Sequence, residues 1–266
     1  MIALDLDGTL TTSKKEVTEH TKDILQQAAQ KGAVIVLASG RPTLGVAPIA
    51  DFLELDKVGG IVMAYNGGHI FDYKTKEIIN LVTFNHDYIP EALEFSYKYN
   101  MPLITYSETE ILTEGPLDEW SHREEINCAT TITKVSDLPS YVDFPIVKMM
   151  LAGDPEALKA PEKEIAAHFE GRLDVYRAEA HFLELMPKGI NKSAGVAKIA
   201  EYLGIQREEV MACGDANNDI PMLEYAGLSI AMANASDSAK AAADFISRSN
   251  DEDGVAYAVE KFVLNV

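Results

Sequence analysis

The chain has 266 residues, enough for one large domain or two smaller ones with a buried core. It carries 42 acidic against 23 basic residues, a net charge of −19, which argues against nucleic acid or an anionic membrane surface as its main partner. A small anionic substrate stays open, because a local cluster of lysine and metal outweighs a distant field that salt screens.

Residues 2–6 read as a short apolar strand that delivers Asp5 and Asp7 and runs at once into Gly8. Residues 18–31 have helical composition and stop at Gly32, suited to a helix C-terminus. The run 33–38 (AVIVLA) is continuously apolar, the mark of a strand covered on both faces. Pro42 fits the first turn of a helix running to about residue 55, and 60–64 make a third strand. This β-α-β-α-β order predicts a parallel sheet with helices on both faces.

The pattern changes near Tyr65, where Asn66-Gly67-Gly68 is a turn and 70–71 with 78–82 form a hairpin. Residues 83–187 are mixed. Helices are expected over 87–99, 117–126 and 154–169, with Asp154 as N-cap and Pro155 at the first helical position. Strands are expected over 103–106, 146–152, 173–177 and 182–186. Glu108, Glu110, Glu114, Asp118 and Glu119 are expected to form a solvated face, His122 and His181 to be surface or hydrogen-bonded residues, and Trp120 to pack.

From residue 188 the first pattern returns. Asn191 caps a helix through 202 that stops at Gly204, 210–213 is a strand ending in Gly214-Asp215, 218–226 is a helix and 228–232 a strand. The expected organisation is an α/β core from 1–82 and 188–266, interrupted by an α+β domain over 83–187. Cys128 and Cys213 make neither a metal pattern nor a disulfide framework, and no run suggests a leader or a membrane span, so a cytoplasmic setting is expected.

Three chemistry-bearing segments directly follow predicted strands: Asp5-Leu6-Asp7-Gly8-Thr9, Ser39-Gly40-Arg41, and Gly214 to Asp219. A fourth, Lys192, lies in the first turn of a helix, whose free N–H groups favour anions. Ligands of open parallel sheets bind beyond the carboxyl ends of the strands. Each segment alone has an ordinary reading as a turn, a loop dipeptide or a solvated helix residue. Together they fit phosphoryl transfer. A carboxylate can act as nucleophile and form an aspartyl-phosphate. Two carboxylates, Asp5 and Asp215, suit Mg²⁺. Ser39 and Lys192 can hold phosphoryl oxygens. Asp7 is placed to protonate a leaving oxygen and then to deprotonate water. Competing motifs fail: Lys192-Ser193 lacks the preceding glycine of a P-loop, and no G-x-S-x-G encloses Ser39.

These residues resemble the haloacid dehalogenase superfamily, and within it the Cof-type sugar-phosphate phosphatases with a type IIB cap. All four motifs stand in order, as Asp5-Leu-Asp7-Gly8-Thr9-Leu10, Ser39 in Ala-Ser-Gly-Arg-Pro, Lys192 in Lys-Gly-Ile-Asn-Lys, and Gly214-Asp215-Ala-Asn-Asn218-Asp219. The resemblance implies a Rossmann-like three-layer core and an inserted cap that sets substrate specificity. It implies Asp5 as nucleophile and metal ligand, Asp7 as acid/base that also lends the metal its backbone carbonyl, and Asp215 as completing the metal site. Asn218 would touch phosphate or metal-bound water, and Asp219 would orient the site against Lys192. Gly8, Gly40, Arg41 and Asn66 would line it. The implied activity is Mg²⁺-dependent hydrolysis of a small phosphate ester. Two alternatives stand beside it: a phosphomutase of the phosphomannomutase type, and a non-catalytic phosphosugar sensor. A mutase needs a second phosphate site in the cap, where the sequence shows only scattered basic residues.

Overall fold

In the computed structural model, which describes residues 1–265, the chain divides into two compact units: Met1–Asn80 with the residues from Asn191 onward, and Leu81–Ile190. In chain order the first unit begins with β1 (Ile2–Leu4), α1 (Glu19–Gln30), β2 (Ile35–Ala38), α2 (Thr43–Phe52), α3 (Leu55–Val58), β3 (Ile61–Ala64), β4 (His69–Asp72) and β5 (Ile78–Leu81). The second unit holds α4 (Tyr88–Tyr99), β6 (Leu103–Tyr106), β7 (Ile111–Glu114), α5 (Glu119–Cys128), β8 (Ile132–Lys134), α6 (Leu138–Tyr141), β9 (Met149–Ala152), α7 (Lys159–His168), β10 (Leu173–Glu179) and β11 (Phe182–Pro187). The first unit resumes with α8 (Lys192–Leu203), β12 (Met211–Gly214), α9 (Ile220–Tyr225), β13 (Leu228–Ala231), α10 (Asp237–Ala241), β14 (Phe245–Ile246) and α11 (Gly254–Val259).

The first unit is built on an eight-stranded sheet in the order β14-β13-β12-β1-β2-β3-β4-β5. Pairings from β14 to β3 are parallel, and β4 returns antiparallel to β3. Every residue of β1, β2, β3 and β12 is buried, as expected of strands covered on both sides. The strand order runs one way from β1 to β3 and the other way from β12 to β14. With right-handed crossovers, the helices that follow β1 and β12 then cover opposite faces. The crevice between the carboxyl ends of β1 and β12 is therefore a topological switch point, where open α/β sheets bind ligands.

The second unit is a six-stranded sheet in the order β10-β11-β9-β6-β7-β8, antiparallel except for β7 with β8. One sheet face supplies Leu103, Leu112, Met149, Leu151, Leu183 and Leu185 to a core shared with Ile89 and Leu93 of α4 and Ile165 of α7. Side chains alternate along strands, so Tyr106, Met150 and Glu184 belong to the opposite face.

Several local expectations are corrected. Pro42 is the N-cap of α2, not its first helical residue, and α2 ends at Phe52. Asp154 caps only a turn, accepting from the N–H groups of Glu156 and Ala157 at 2.9 and 3.0 Å, and α7 starts later, at Lys159. The expected helix over 218–226 opens with a 3₁₀ turn, Asn217–Asp219. Glu114 is not solvated: it lies buried on β7 and accepts from the Tyr97 hydroxyl and, at 2.6 Å, the Leu138 N–H. His181 is buried against the Trp120 ring, with its Nε2 3.3 Å from Glu179 Oε2.

Candidate active site

The apolar run of β1 ends at Leu4, and the next residue stays beside the neighbouring strand: Asp5 N–H donates to Cys213 O at 3.1 Å. Gly8 then turns the chain with φ +81°, and a Cβ there would lie 2.4 Å from Asp215 Oδ2. Only glycine satisfies both the left-handed backbone and this close approach. Thr9 Oγ1 donates to Asp215 Oδ1 at 3.1 Å, tying the β1 loop to the β12 loop.

Lys192 is the first residue of α8, whose N-cap Asn191 accepts from the Ala194 N–H. Its ammonium is buried and donates to Asp5 Oδ1 at 2.5 Å and to Asp219 Oδ1 at 2.6 Å. The other oxygen of Asp219 accepts from the N–H groups of Asp215 and Ala216, both at 3.0 Å, which locks the β12 loop. Asp5, Asp215 and Asp219 offer carboxylate oxygens that lie within 4.8 Å of one another.

Charge in this cluster is unbalanced. Burial, reinforced by repulsion from Asp219, pushes the Asp5 carboxyl up to about 8 despite the Lys192 ammonium. Burial and Asp219 also raise Asp215. Burial works against the Lys192 charge, but Asp5 and Asp219 override it and hold the ammonium protonated. Three carboxylates facing one lysine form a cation-deficient site, and an all-oxygen donor set suits a hard divalent cation.

Asp7 sits differently. Its carboxylate is gripped by Arg41, with Nε to Oδ2 and Nη2 to Oδ1 both at 2.7 Å, and by Lys15 Nζ at 2.5 Å. Burial by itself would raise this group, but Arg41 and Lys15 bring it down to about 2. In this geometry Asp7 is a carboxylate that accepts protons. To donate one it must first exchange these partners. Ser39 follows β2, is buried, and its Oγ accepts from the Arg41 N–H at 3.0 Å. Gly40 lies against Asn66, where a Cβ would come within 3.2 Å of Asn66 Oδ1. That Asn66 oxygen is buried without a hydrogen-bond partner among the described residues, and Asn66 itself has φ +55°. Asn218 is exposed on the turn after β12.

Asp5, Asp215, Asp219 and Lys192 thus converge directly, and Asp7 is joined to Arg41. For Ser39, Gly40, Asn66 and Asn218 the structure gives strand-end or loop positions in the same unit. Lys15 was missed by sequence reasoning. Its one signal is a basic pair, Lys14-Lys15, in the loop that follows the Asp-x-Asp strand.

A family profile described as haloacid dehalogenase-like hydrolase matches residues 2–259. YxeH of Bacillus subtilis strain 168, provisionally named a phosphatase, is 33% identical over 267 residues, covering 99% of this chain and 98% of its own. A second B. subtilis relative, YitU, named a 5-amino-6-(5-phospho-D-ribitylamino)uracil phosphatase, is 28% identical over 271 residues, covering 98% of this chain and 97% of its own. Among solved structures, a haloacid dehalogenase-like hydrolase from Bacteroides thetaiotaomicron superposes with TM-score 0.95 and 38% identity over 98% of both chains. The subclass IIB sugar phosphatase BT4131 superposes with TM-score 0.78 and 26% identity, also over 98% of both. Among the described residues no helix is long and apolar enough to cross a membrane.

Proposed function

The chain belongs to the haloacid dehalogenase-like hydrolases and is a phosphatase, and from that premise we propose that it hydrolyses a small sugar or polyol phosphate with Mg²⁺, through an aspartyl-phosphate on Asp5. The observation that carries this reading is the buried Asp5 carboxylate, held by Lys192 at the switch point beside Asp215 and Asp219. Asp5, Asp215 and the Asp7 carbonyl would hold Mg²⁺, which when bound supplies the neutralisation an anionic nucleophile needs before a phosphate dianion.

In the first step an Asp5 oxygen bonds to phosphorus and the ester oxygen leaves, taking a proton from Asp7. In the second, Asp7 removes a proton from water, the water oxygen bonds to phosphorus, and the bond to Asp5 breaks. Lys192 and Ser39 hold phosphoryl oxygens throughout, with Asn218, Asn66 and the loop of Gly8, Gly40 and Arg41 lining the site. Asp219 keeps Lys192 and the β12 loop in register. The second unit is assigned selection of the leaving group.

The sugar or polyol class draws on the named activities of BT4131 and YitU. Hydrolysis is preferred to mutase transfer because several cations of the second unit are already paired: Lys98 with Glu164, Arg172 with Glu91, Arg177 with Glu162 and Lys148 with Glu184. A bisphosphate would need such cations unpaired. Retention of Asp5 and Asp7 speaks against a silent sensor. The test is phosphate release from a panel of sugar, polyol, nucleotide and pyridoxal phosphates, with Mg²⁺ and with EDTA. Mg²⁺-dependent release led by sugar or polyol esters is expected. Release unaffected by EDTA would refute the metal assignment.

A further inference from the structure

The second unit contains an ion pair that its own packing does not explain. Lys148 Nζ donates to Glu184 Oε1 at 2.7 Å, and both side chains are about as buried as core leucines, at 4% and 5% exposure. Glu184 stands on the sheet face away from the α4 and α7 core, since its neighbours Leu183 and Leu185 fill that core. Lys148 shares its face with Met150, the register partner of Glu184.

A second buried glutamate nearby shows what a structural carboxylate looks like here. Glu124 of α5 is satisfied on both oxygens, by Tyr106 OH at 2.8 Å and Cys128 Sγ at 3.3 Å on one, and by Asn127 Nδ2 at 3.3 Å on the other. Glu184 is satisfied on one only: its Oε2 is buried and has no partner among the described residues. Lys148 donates no other hydrogen bond there, its ammonium lying 5.2 Å over the Tyr106 ring. A half-satisfied buried carboxylate is costly, and a buried ion pair is usually replaceable by apolar side chains without loss of stability. Packing alone therefore does not account for this pair.

We propose that Glu184 and Lys148 bind adjacent hydroxyl groups of the leaving group, one hydroxyl donating to Glu184 Oε2 and its neighbour accepting from the Lys148 ammonium. The inference rests on the sugar- or polyol-phosphate reading and deepens it by naming the side chains that recognise the alcohol. An acceptor and a donor side by side match a vicinal diol. The Glu184 carboxylate on the Lys148 ammonium, with the Glu124 charge also felt there, repels a second phosphate, so the ligand is a neutral polyol and not a bisphosphate. Binding requires the pair to be uncovered during the cycle, as water-excluding sites commonly are.

The experiment compares kcat/KM for the best sugar or polyol phosphate of a panel with that for n-hexyl phosphate, whose leaving group lacks further hydroxyls. It is run on the wild type and on a Lys148→Met/Glu184→Leu double variant. The wild type should favour the polyol ester by roughly 100-fold or more, because a site built for hydroxyls rejects analogues lacking them. The double variant should melt at or above the wild-type temperature, cleave hexyl phosphate as before, and lose that preference. A double variant that keeps the preference overturns the inference, since the pair is then structural. Should it fail to fold, Glu184→Gln, which keeps the shape, is expected to lose about 10-fold in the preference, and an unchanged ratio there overturns the inference equally. A wild type that cleaves both esters alike overturns the diol site and leaves the phosphatase reading standing. One inert toward every ester overturns both.

Discussion

Withdrawing the divalent cation should destabilise the first unit, and do so more at high pH than at low. The folded Asp5 carboxyl sits at about 8, against about 3.9 for an unfolded aspartate. A group raised on folding contributes stability that is complete below its unfolded value and is lost as pH rises through its folded one. In EDTA the protein should therefore melt lower at pH 8 than at pH 5. A cation bound between Asp5 and Asp215 reverses this, and binds more tightly once Asp5 is ionised. At a Mg²⁺ concentration 100 times its dissociation constant the gain is about 2.7 kcal/mol. That corresponds to roughly 5–10 °C for a unit of this size. Thermal melts at both pH values, with EDTA and with Mg²⁺, give the four numbers needed. Asp5→Asn removes the titrating group, so its metal-free melt should be higher than wild type at pH 8 and respond little to Mg²⁺. Wild-type melts at pH 8 that ignore Mg²⁺, or an Asp5→Asn protein with the full wild-type response, would refute the charge argument.

Asp7→Asn should lose about 10²–10⁴-fold in turnover of alkyl phosphates. It should still release a stoichiometric burst of p-nitrophenol from p-nitrophenyl phosphate, whose leaving group needs no proton; rapid-mixing absorbance decides. Gly8→Ala forces a left-handed alanine, costing about 1–2 kcal/mol, and drives its Cβ into Asp215. It is expected to weaken Mg²⁺ affinity along with stability, read by calorimetry, and unchanged metal binding would argue against the Gly8–Asp215 contact. Glu114→Ala leaves the buried Leu138 N–H without its acceptor and should cost about 1–3 kcal/mol in urea unfolding. Hydrolysis of p-nitrophenyl phosphate at 25 °C should survive that change, because Glu114 lies in the second unit.

The parts of the fold legible in the sequence are those that depend on local patterning. Continuous apolar runs mark β2 and β3, and Asn191 and Gly204 bracket α8. The carboxylates Asp5 and Asp215 are legible because each follows such a run. What is not legible depends on partners distant in sequence. Glu114 looks like one more acid on an acidic surface until Tyr97 and Leu138 meet it. Lys148 and Glu184 read as ordinary strand-flanking charges, and only the register of β9 with β11 brings them together. Lys15 likewise has no periodic signal, since the loop conformation alone carries it back to Asp7. Asp7 is expected as both acid and base from its place after the first strand, and only the structure shows its carboxylate engaged by Arg41 and Lys15, partners it must exchange before it carries a proton.

Whether Asp5 carries the phosphoryl group is decided by reacting the Asp7→Asn protein with p-nitrophenyl phosphate and Mg²⁺, quenching in acid, reducing with borohydride and sequencing by mass spectrometry. Reduction of an aspartyl-phosphate converts that aspartate to homoserine. Homoserine at position 5, absent from a parallel Asp5→Asn/Asp7→Asn sample, is the expected result. A p-nitrophenol burst with Asp5 unmodified, or with the label on another residue, would contradict the account.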